Sequence, residues 1–344
     1  MEPLFDTQTF TNTVIIPDYE SLSEFVNRSD NIDKVLYMSF LDNYFRLRPR
    51  IQESYDNQQK SYWISASINF ENDYGHFKSL LPAEQRIIKV ILAFFASSDL
   101  IIVSKIKTYL DSIALPDIAR VYDYMKMIEN VHSEIYQRTI EVLVPNRDER
   151  KNLFNSVLNM PSIRNMSEWC KKSNVDSIEE IIFVNGLFEC AFFRSPFMII
   201  AIFKRRGILY GLGQSNEYIM RDEDMHWQFA ILLKQLLTKS ISQSRAYEIV
   251  NEARQIYFDF ISEMIPEPLS FLNQDMIKTH FMSICDLYLT NYGFKALYKV
   301  KSELDTIHDV ELPTFGDFFY TPSTNYGKIT DIEKKELTII DTDF

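Results

Sequence analysis

Glycine is scarce in this chain, at 8 of 344 residues, which leaves little material for the glycine-rich loops that cradle phosphates. Cysteine is scarcer still. Cys170, Cys190 and Cys285 are odd in number and far apart, which excludes a disulfide framework or a zinc knuckle and favours a reducing compartment. Positive charge is also short, and a net charge of −12 argues against nucleic acid as a partner, since neutralising phosphates needs clustered Lys and Arg. The one compact basic run, Lys204-Arg205-Arg206, reads as a helix C-terminus closed by Gly207. There is no apolar run of about 20 residues, so no membrane span is predicted. The start of the chain lacks the basic, apolar pattern of a signal peptide, and a cytoplasmic protein is expected.

Large apolar side chains are abundant instead: 46% of residues are hydrophobic, with 26 Phe and 19 Tyr. That composition suits long helices packed through bulky side chains. Residues 1–30 show no sustained period and are expected to be a loose arm. A short helix is predicted from near residue 39. Residues 81–113 contain no break after Pro82 and are apolar nearly all round, which predicts a buried helix with Asp99 inside it. A second long helix is predicted over residues 117–144, between Pro116 and Pro145. Shorter helices are predicted over 148–160 and 161–173. Residues 177–206 turn apolar again, carrying Glu189 and a predicted kink at Pro196. Gly211 to Gly213 should separate this helix from one over 215–237, followed by helices over 244–264 and 275–292. After about residue 311 the periodicity fades, and residues 312–344 read as a tail.

Four of these helices place ionisable groups on apolar faces. The helix over 117–144 carries Glu129 and His132 at i, i+3, with Tyr136 one turn further on. The helix over 215–237 repeats the pair as Glu223 and His226. Asp99 and Glu189 interrupt the other two. A single Glu-x-x-His is usually an exposed helix pair. Here two such pairs use two of only five histidines, and two further carboxylates sit in apolar runs. One carboxylate from each of two helices plus a Glu-x-x-His pair from each of the other two is the ligand pattern of dinuclear carboxylate sites in four-helix bundles. Four carboxylates offset two divalent ions, so the assembly can sit in a dry core. The oxygen-rich, thiolate-free donor set favours iron or manganese over zinc alone.

The segments Leu92-Ala93-Phe94-Phe95-Ala96-Ser97-Ser98-Asp99, Glu129-Asn130-Val131-His132, Phe188-Glu189-Cys190-Ala191-Phe192-Phe193 and Ser215-Asn216-Glu217-Tyr218-Ile219-Met220-Arg221-Asp222-Glu223 resemble the small, radical-generating subunit of class I ribonucleotide reductase, in its eukaryotic and large-DNA-virus branch. The resemblance runs from about residue 62 to the C-terminus. It implies an all-α, ferritin-like helical bundle with additional helices, spanning residues 31–311, that holds two Fe ions per chain, with manganese as the alternative. Asp99, Glu129 and His132 would ligate one ion and Glu189, Glu223 and His226 the other, with Glu129 and Glu223 among the bridging carboxylates.

By the same resemblance, Tyr136 would carry the radical inside an apolar pocket of Phe193, Phe197 and Ile219. Trp63 and Asp222 would form, with a ligand His, the electron- and proton-transfer relay from the metal site towards the surface. Tyr326 would pass the radical to the large subunit, with nearby Tyr320 as the competing position. The terminal Asp341-Thr342-Asp343-Phe344 would dock a homodimer on that large subunit, where ribonucleotides are reduced. One departure stands out: Asp99 and Glu129 are 30 residues apart, one fewer than the family pattern, and the deletion is placed in the turn near Pro116. Two other readings remain open, a different di-iron oxidase of the same fold and a metal-free subunit that stabilises an active partner.

Overall fold

Leu41, Tyr44, Leu47 and Ile51 are all buried and recur at helical spacing, marking one face of the first helix, α1 (Lys34–Lys60). The structure, a computed structural model, describes Glu20 and residues 34–110, 115–172, 177–237 and 239–304, without the side chains of 34–40, 97–110 and 171–172. The predicted short helix near residue 39 is thus a helix of 27 residues with Pro49 inside it. Its Asn-, Gln- and Arg-rich remainder, which masked the pattern in sequence, largely faces solvent. Tyr44 and Arg48 donate to Asp117 Oδ2 at 2.8 and 2.9 Å, tying α1 to the start of another long helix.

The remaining helices follow in order: α2 (Asp73–Ser79), α3 (Pro82–Leu110), α4 (Pro116–Leu143), α5 (Arg147–Leu158), α6 (Pro161–Lys172), α7 (Ile178–Leu187), α8 (Arg194–Arg205), α9 (Tyr210–Lys234), α10 (Gln243–Met264) and α11 (Gln274–Asn291). Their starts are set by local chemistry. Pro82 and Pro116 open α3 and α4, where a missing N–H costs nothing. Glu84 reaches back to accept from Leu81 N at 2.9 Å. Asn146, Ser177, Ser242 and Asn273 cap α5, α7, α10 and α11 through their side-chain oxygens. The fold is all-α: among the described residues the sole β-type pairing is an isolated bridge, Leu269–Leu272.

α3 lies along α4, and α9 packs against α7, α8 and α1, so that α3, α4, α7–α8 and α9 surround one core. α10 and α11 cover its outer side, where Tyr257 stacks on Phe281 at 4.0 Å and both meet Phe192 edge-on.

Two sequence expectations shift here. The irregularity predicted at Pro196 lies upstream: residues Phe188–Phe192 form a π-helical turn, and α8 restarts at Arg194 with Pro196 in its first turn, where proline is tolerated. Each hydrogen bond loosened in a π turn costs about 0.5–1.5 kcal/mol. Burying Phe188 and Phe192, stacked at 4.7 Å, contributes about 1.5–3 kcal/mol each, so packing wins. Nor do Gly211 and Gly213 separate two helices, since both lie inside α9. The break falls at Gly207 (φ +76°) and Leu209 (φ +55°). Gly211 is there for close approach: a Cβ would meet Asn69 O at 2.4 Å.

The stretch Ile178–Arg205 is apolar and long enough to cross a membrane by composition, but 89% of its most apolar window is buried inside the protein. The arm expected at 1–30 lies, Glu20 apart, outside the described residues, as do residues 111–114 before Pro116 and the tail at 312–344.

Candidate metal centre

α4 carries Glu129, His132 and Tyr136; α9 carries Asp222, Glu223 and His226; the π turn carries Glu189; and α3 carries Asp99. All but Asp99, whose side chain is not described, are buried, with His132 wholly enclosed. Ligand atoms of Glu129, Glu189, Glu223 and His226 lie within 4.8 Å of one another.

The two histidines enter this cluster the same way. His132 Nδ1 is 3.2 Å from Glu129 Oε2 and 3.3 Å from Glu223 Oε1. His226 Nδ1 is 3.1 Å from Glu129 Oε1 and 3.1 Å from Glu223 Oε2. Glu129 and Glu223 therefore each face both imidazoles, one oxygen apiece. Glu189 lies against Glu223 and completes the wall.

Burial alone would strip protons from both imidazoles. Burial is the largest influence on His132, but Glu129, Asp222 and Glu223 together overcome it and hold its pKa well above the usual histidine range. His226 is likewise opposed by burial and raised by Glu129 and Glu223, to about 9. Glu223 is held far below the ordinary carboxylate range: burial opposes its charge, and His132 and His226 outweigh it. The cluster thus draws positive charge to the point between the carboxylates and the two Nδ1 atoms. Among the described residues, His226 Nε2 is buried with no hydrogen-bond partner. These residues suit a divalent metal centre: oxygen-rich, with two imidazoles and no thiolate.

Behind His132, Asp222 Oδ2 lies 3.1 Å from Nε2 and accepts from Trp63 Nε1 at 2.7 Å. A proton on Nε2 shared with Asp222 leaves the Nδ1 lone pair facing the cluster. The Trp63 and His132 rings stack at 6.0 Å. Arg221 donates to Ser61 O and sits 3.5 Å from Asp222 Oδ1, closing the outer side of the carboxylate. Trp63 itself is 2% exposed. Its loop is pinned by Ser65, which donates to Glu134 at 2.5 Å, and by Arg138, which donates to Ser65 O.

Tyr136 is 4% exposed and stacks on Phe95 at 5.0 Å. Phe95 touches Phe193 and Phe197 at 5.8 and 4.9 Å, and Ile219 is fully buried on α9. The structure thus brings together Glu129, His132, Glu189, Glu223 and His226, with Asp222 and Trp63 behind them. Tyr326 and Tyr320 lie outside the described residues.

Sequence reasoning missed Phe95 as the direct partner of Tyr136, although it lies in a quoted segment four residues before Asp99. It also missed Asp73, which accepts from Gly211 N and Leu212 N at 3.1 and 2.7 Å and so fixes the start of α9.

Residues 14–305 match the family model for "Ribonucleotide reductase, small chain". The chain belongs to the ribonucleotide reductase small-chain family. It is 30% identical over 281 residues to a ribonucleoside-diphosphate reductase small subunit of Arabidopsis thaliana, an alignment that covers 81% of this protein and 82% of that relative. It is 29% identical over 298 residues to the ribonucleoside-diphosphate reductase small chain of vaccinia virus (strain Ankara), covering 86% and 93%. The fold is similar to the ribonucleotide reductase Rnr4 homodimer of Saccharomyces cerevisiae, with a TM-score of 0.70, 20% identity and coverage of 83% and 87%. It is also similar to the dimanganese(II)-NrdF of Streptococcus sanguinis, with a TM-score of 0.67, 14% identity and coverage of 74% and 92%. The all-α, ferritin-like reading of the sequence stands.

Proposed function

We propose that this chain is the radical-generating small subunit of ribonucleoside-diphosphate reductase. The observation that carries the reading is the pairing of Glu129 and Glu223 across both histidines, with Asp222 and Trp63 behind one imidazole and Tyr136 one turn along the same helix. Asp99, Glu129 and His132 would hold one iron and Glu189, Glu223 and His226 the other, Glu129 and Glu223 lying between them; manganese is the alternative metal. When bound, the pair supplies a dioxygen-derived oxidant strong enough to take an electron from a phenol.

The protein's own groups do the rest. Glu129 and Glu223 present one oxygen to each imidazole, and the two Nδ1 atoms, with the carboxylates of Glu189 and Asp99, would make up the rest of the donor set. Asp222 holds the His132 ring in place and links it to Trp63. Tyr136 would give up one electron and its phenolic proton to that oxidant, and the resulting radical would persist because Phe95, Phe193, Phe197 and Ile219 exclude water and reductants. Tyr326 passes the oxidising equivalent on, and Asp341-Thr342-Asp343-Phe344 docks the protein, as a homodimer in the cytoplasm, on a large subunit where ribonucleotides become deoxyribonucleotides.

The test is anaerobic loading with ferrous iron, metal analysis, exposure to dioxygen and electron paramagnetic resonance. The intact chain should bind iron and give a tyrosyl signal that vanishes in Tyr136→Phe. A signal that survives this substitution refutes the assignment of Tyr136, and failure to take up metal refutes the centre.

A further inference from the structure

Trp63 is too deeply buried to meet a reductant in solution. Among the described residues its ring has two aromatic neighbours. His132 lies on the inner side. On the other, Tyr218 lies with its centroid 5.4 Å away and its plane tilted by 55°, within the range of direct ring contact. Tyr218 is half-buried and sits on α9 one turn before Asp222. Its hydroxyl accepts from Gln214 Nε2 at 3.1 Å, and the Arg221 guanidinium lies 5.3 Å from its ring centroid. Buried indole, half-buried phenol and solvent therefore follow one another.

We propose that Tyr218 is a redox relay residue that reduces oxidised Trp63 and connects it to a small thiol or enediol reductant in solution. This rests on the function proposed above, and an electron count shows the need. Reducing dioxygen to water takes four electrons; two ferrous ions held at the site would supply two and Tyr136 one. The fourth must enter from outside, and the Trp63–Asp222–His132 chain leads inward from Tyr218.

In the step, the Tyr218 phenol gives one electron to the Trp63 indole radical cation. Neutral indole is restored, with its N–H still on Asp222. The phenolic proton leaves to water from the half-buried Tyr218, which becomes a neutral phenoxyl radical. The thiol or enediol then gives one electron and one proton to Tyr218 and becomes its own one-electron-oxidised radical. The Arg221 charge over the ring makes a phenol cation costly, so electron and proton leave together. Gln214 donates to the phenolic oxygen and leaves its proton free to depart.

The test compares Tyr218→Phe, which keeps the ring and its packing, with the parent protein in two measurements. In the first, metal-free protein in a Tyr136→Phe background is flash-photolysed to generate indolyl radicals. The rise of phenoxyl absorbance at the expense of indolyl absorbance should fall equally in Tyr218→Phe and Trp63→Phe and no further in the double variant. Trp169 and Trp227 set the background. In the second, iron-loaded protein meets dioxygen and ascorbate, and freeze-quench paramagnetic resonance follows the indole radical, which should outlast that of the parent by about tenfold in Tyr218→Phe. Unchanged indolyl decay in either measurement overturns the proposal. If the protein binds no iron or forms no Tyr136 radical, the functional reading fails, while the metal-free photolysis still decides whether Tyr218 reduces Trp63.

Discussion

Metal binding to this cluster must displace protons, and the pH dependence of that displacement can be worked from the site. In the metal-free protein His226 titrates at about 9, so near neutral pH its imidazole carries a proton on the nitrogen that a metal needs. His132 is raised in the same direction by the same carboxylates. Removing a proton from a group with pKa about 9 at about pH 7 costs about 2.7 kcal/mol, roughly a hundredfold in apparent affinity. Ferrous or manganous ion uptake near neutrality should therefore release close to two protons per chain. Apparent affinity should climb about tenfold per pH unit for each linked proton, the His226 contribution levelling off above about pH 9.

The metal-free fold should respond in the opposite sense. A histidine pKa raised from 6.5 to about 9 on folding contributes stability that is fully present below 6.5 and lost as pH rises through 9. For His226 that amounts to about 3 kcal/mol. Metal-free protein should thus melt lower as pH rises across this window, while metal-loaded protein should not. Calorimetric titration under argon, in two buffers of different ionisation enthalpy, counts the protons directly. Proton release well below one per chain near neutrality, with flat affinity across the window, would refute the reasoning.

The outer residues give sharper tests. Asp222→Asn keeps the shape but points an amide donor or a weaker acceptor at His132 Nε2, and metal affinity measured against a chelator should fall about 10–100-fold with little loss of fold. Phe95→Ala removes the ring stacked on Tyr136, which should cost about 3–5 kcal/mol in urea unfolding and shorten the radical lifetime by admitting water. Gly211→Ala forces a Cβ against Asn69 O, a backbone atom that cannot swing away. It should destabilise the fold by about 1–3 kcal/mol in thermal unfolding, and an unchanged melting temperature would count against close approach as the reason for that glycine.

What the sequence revealed followed the range of the interactions. Glu129 with His132, and Glu223 with His226, are i, i+3 pairs whose shared face is fixed by helix geometry alone, so their pairing could be read without knowing any neighbour. The starts of α3 and α4 were equally legible, because Pro82 and Pro116 act locally. The length of α1 was not, since only the buried face of Leu41, Tyr44, Leu47 and Ile51 is apolar and the helix is fixed by distant Asp117. The contact of Phe95 with Tyr136 and the capping of α9 by Asp73 pair residues on different elements, and no local pattern announces them.

Glu189 shows how a residue picked out in sequence can still be misplaced in structural detail. In sequence it is a lone carboxylate in an apolar run, and a regular helix from residue 177 to 206 would set its direction by continuing the turn of α7. Each residue turns an α-helix by about 100°, so a π turn, which adds about one residue to a single turn, swings the side chains beyond it through a large angle. The five residues from Phe188 to Phe192 face two demands at once: Glu189 must meet Glu223 and His226, and Phe192 must meet Tyr257 and Phe281 on the far side. The π turn resolves that conflict, and aromatic burial on the outer side offsets its weakened hydrogen bonds. Proline at 196 drew the sequence reading downstream because it is the only residue there with a known backbone penalty. The actual distortion comes from two packing requirements on opposite faces, which no single residue encodes.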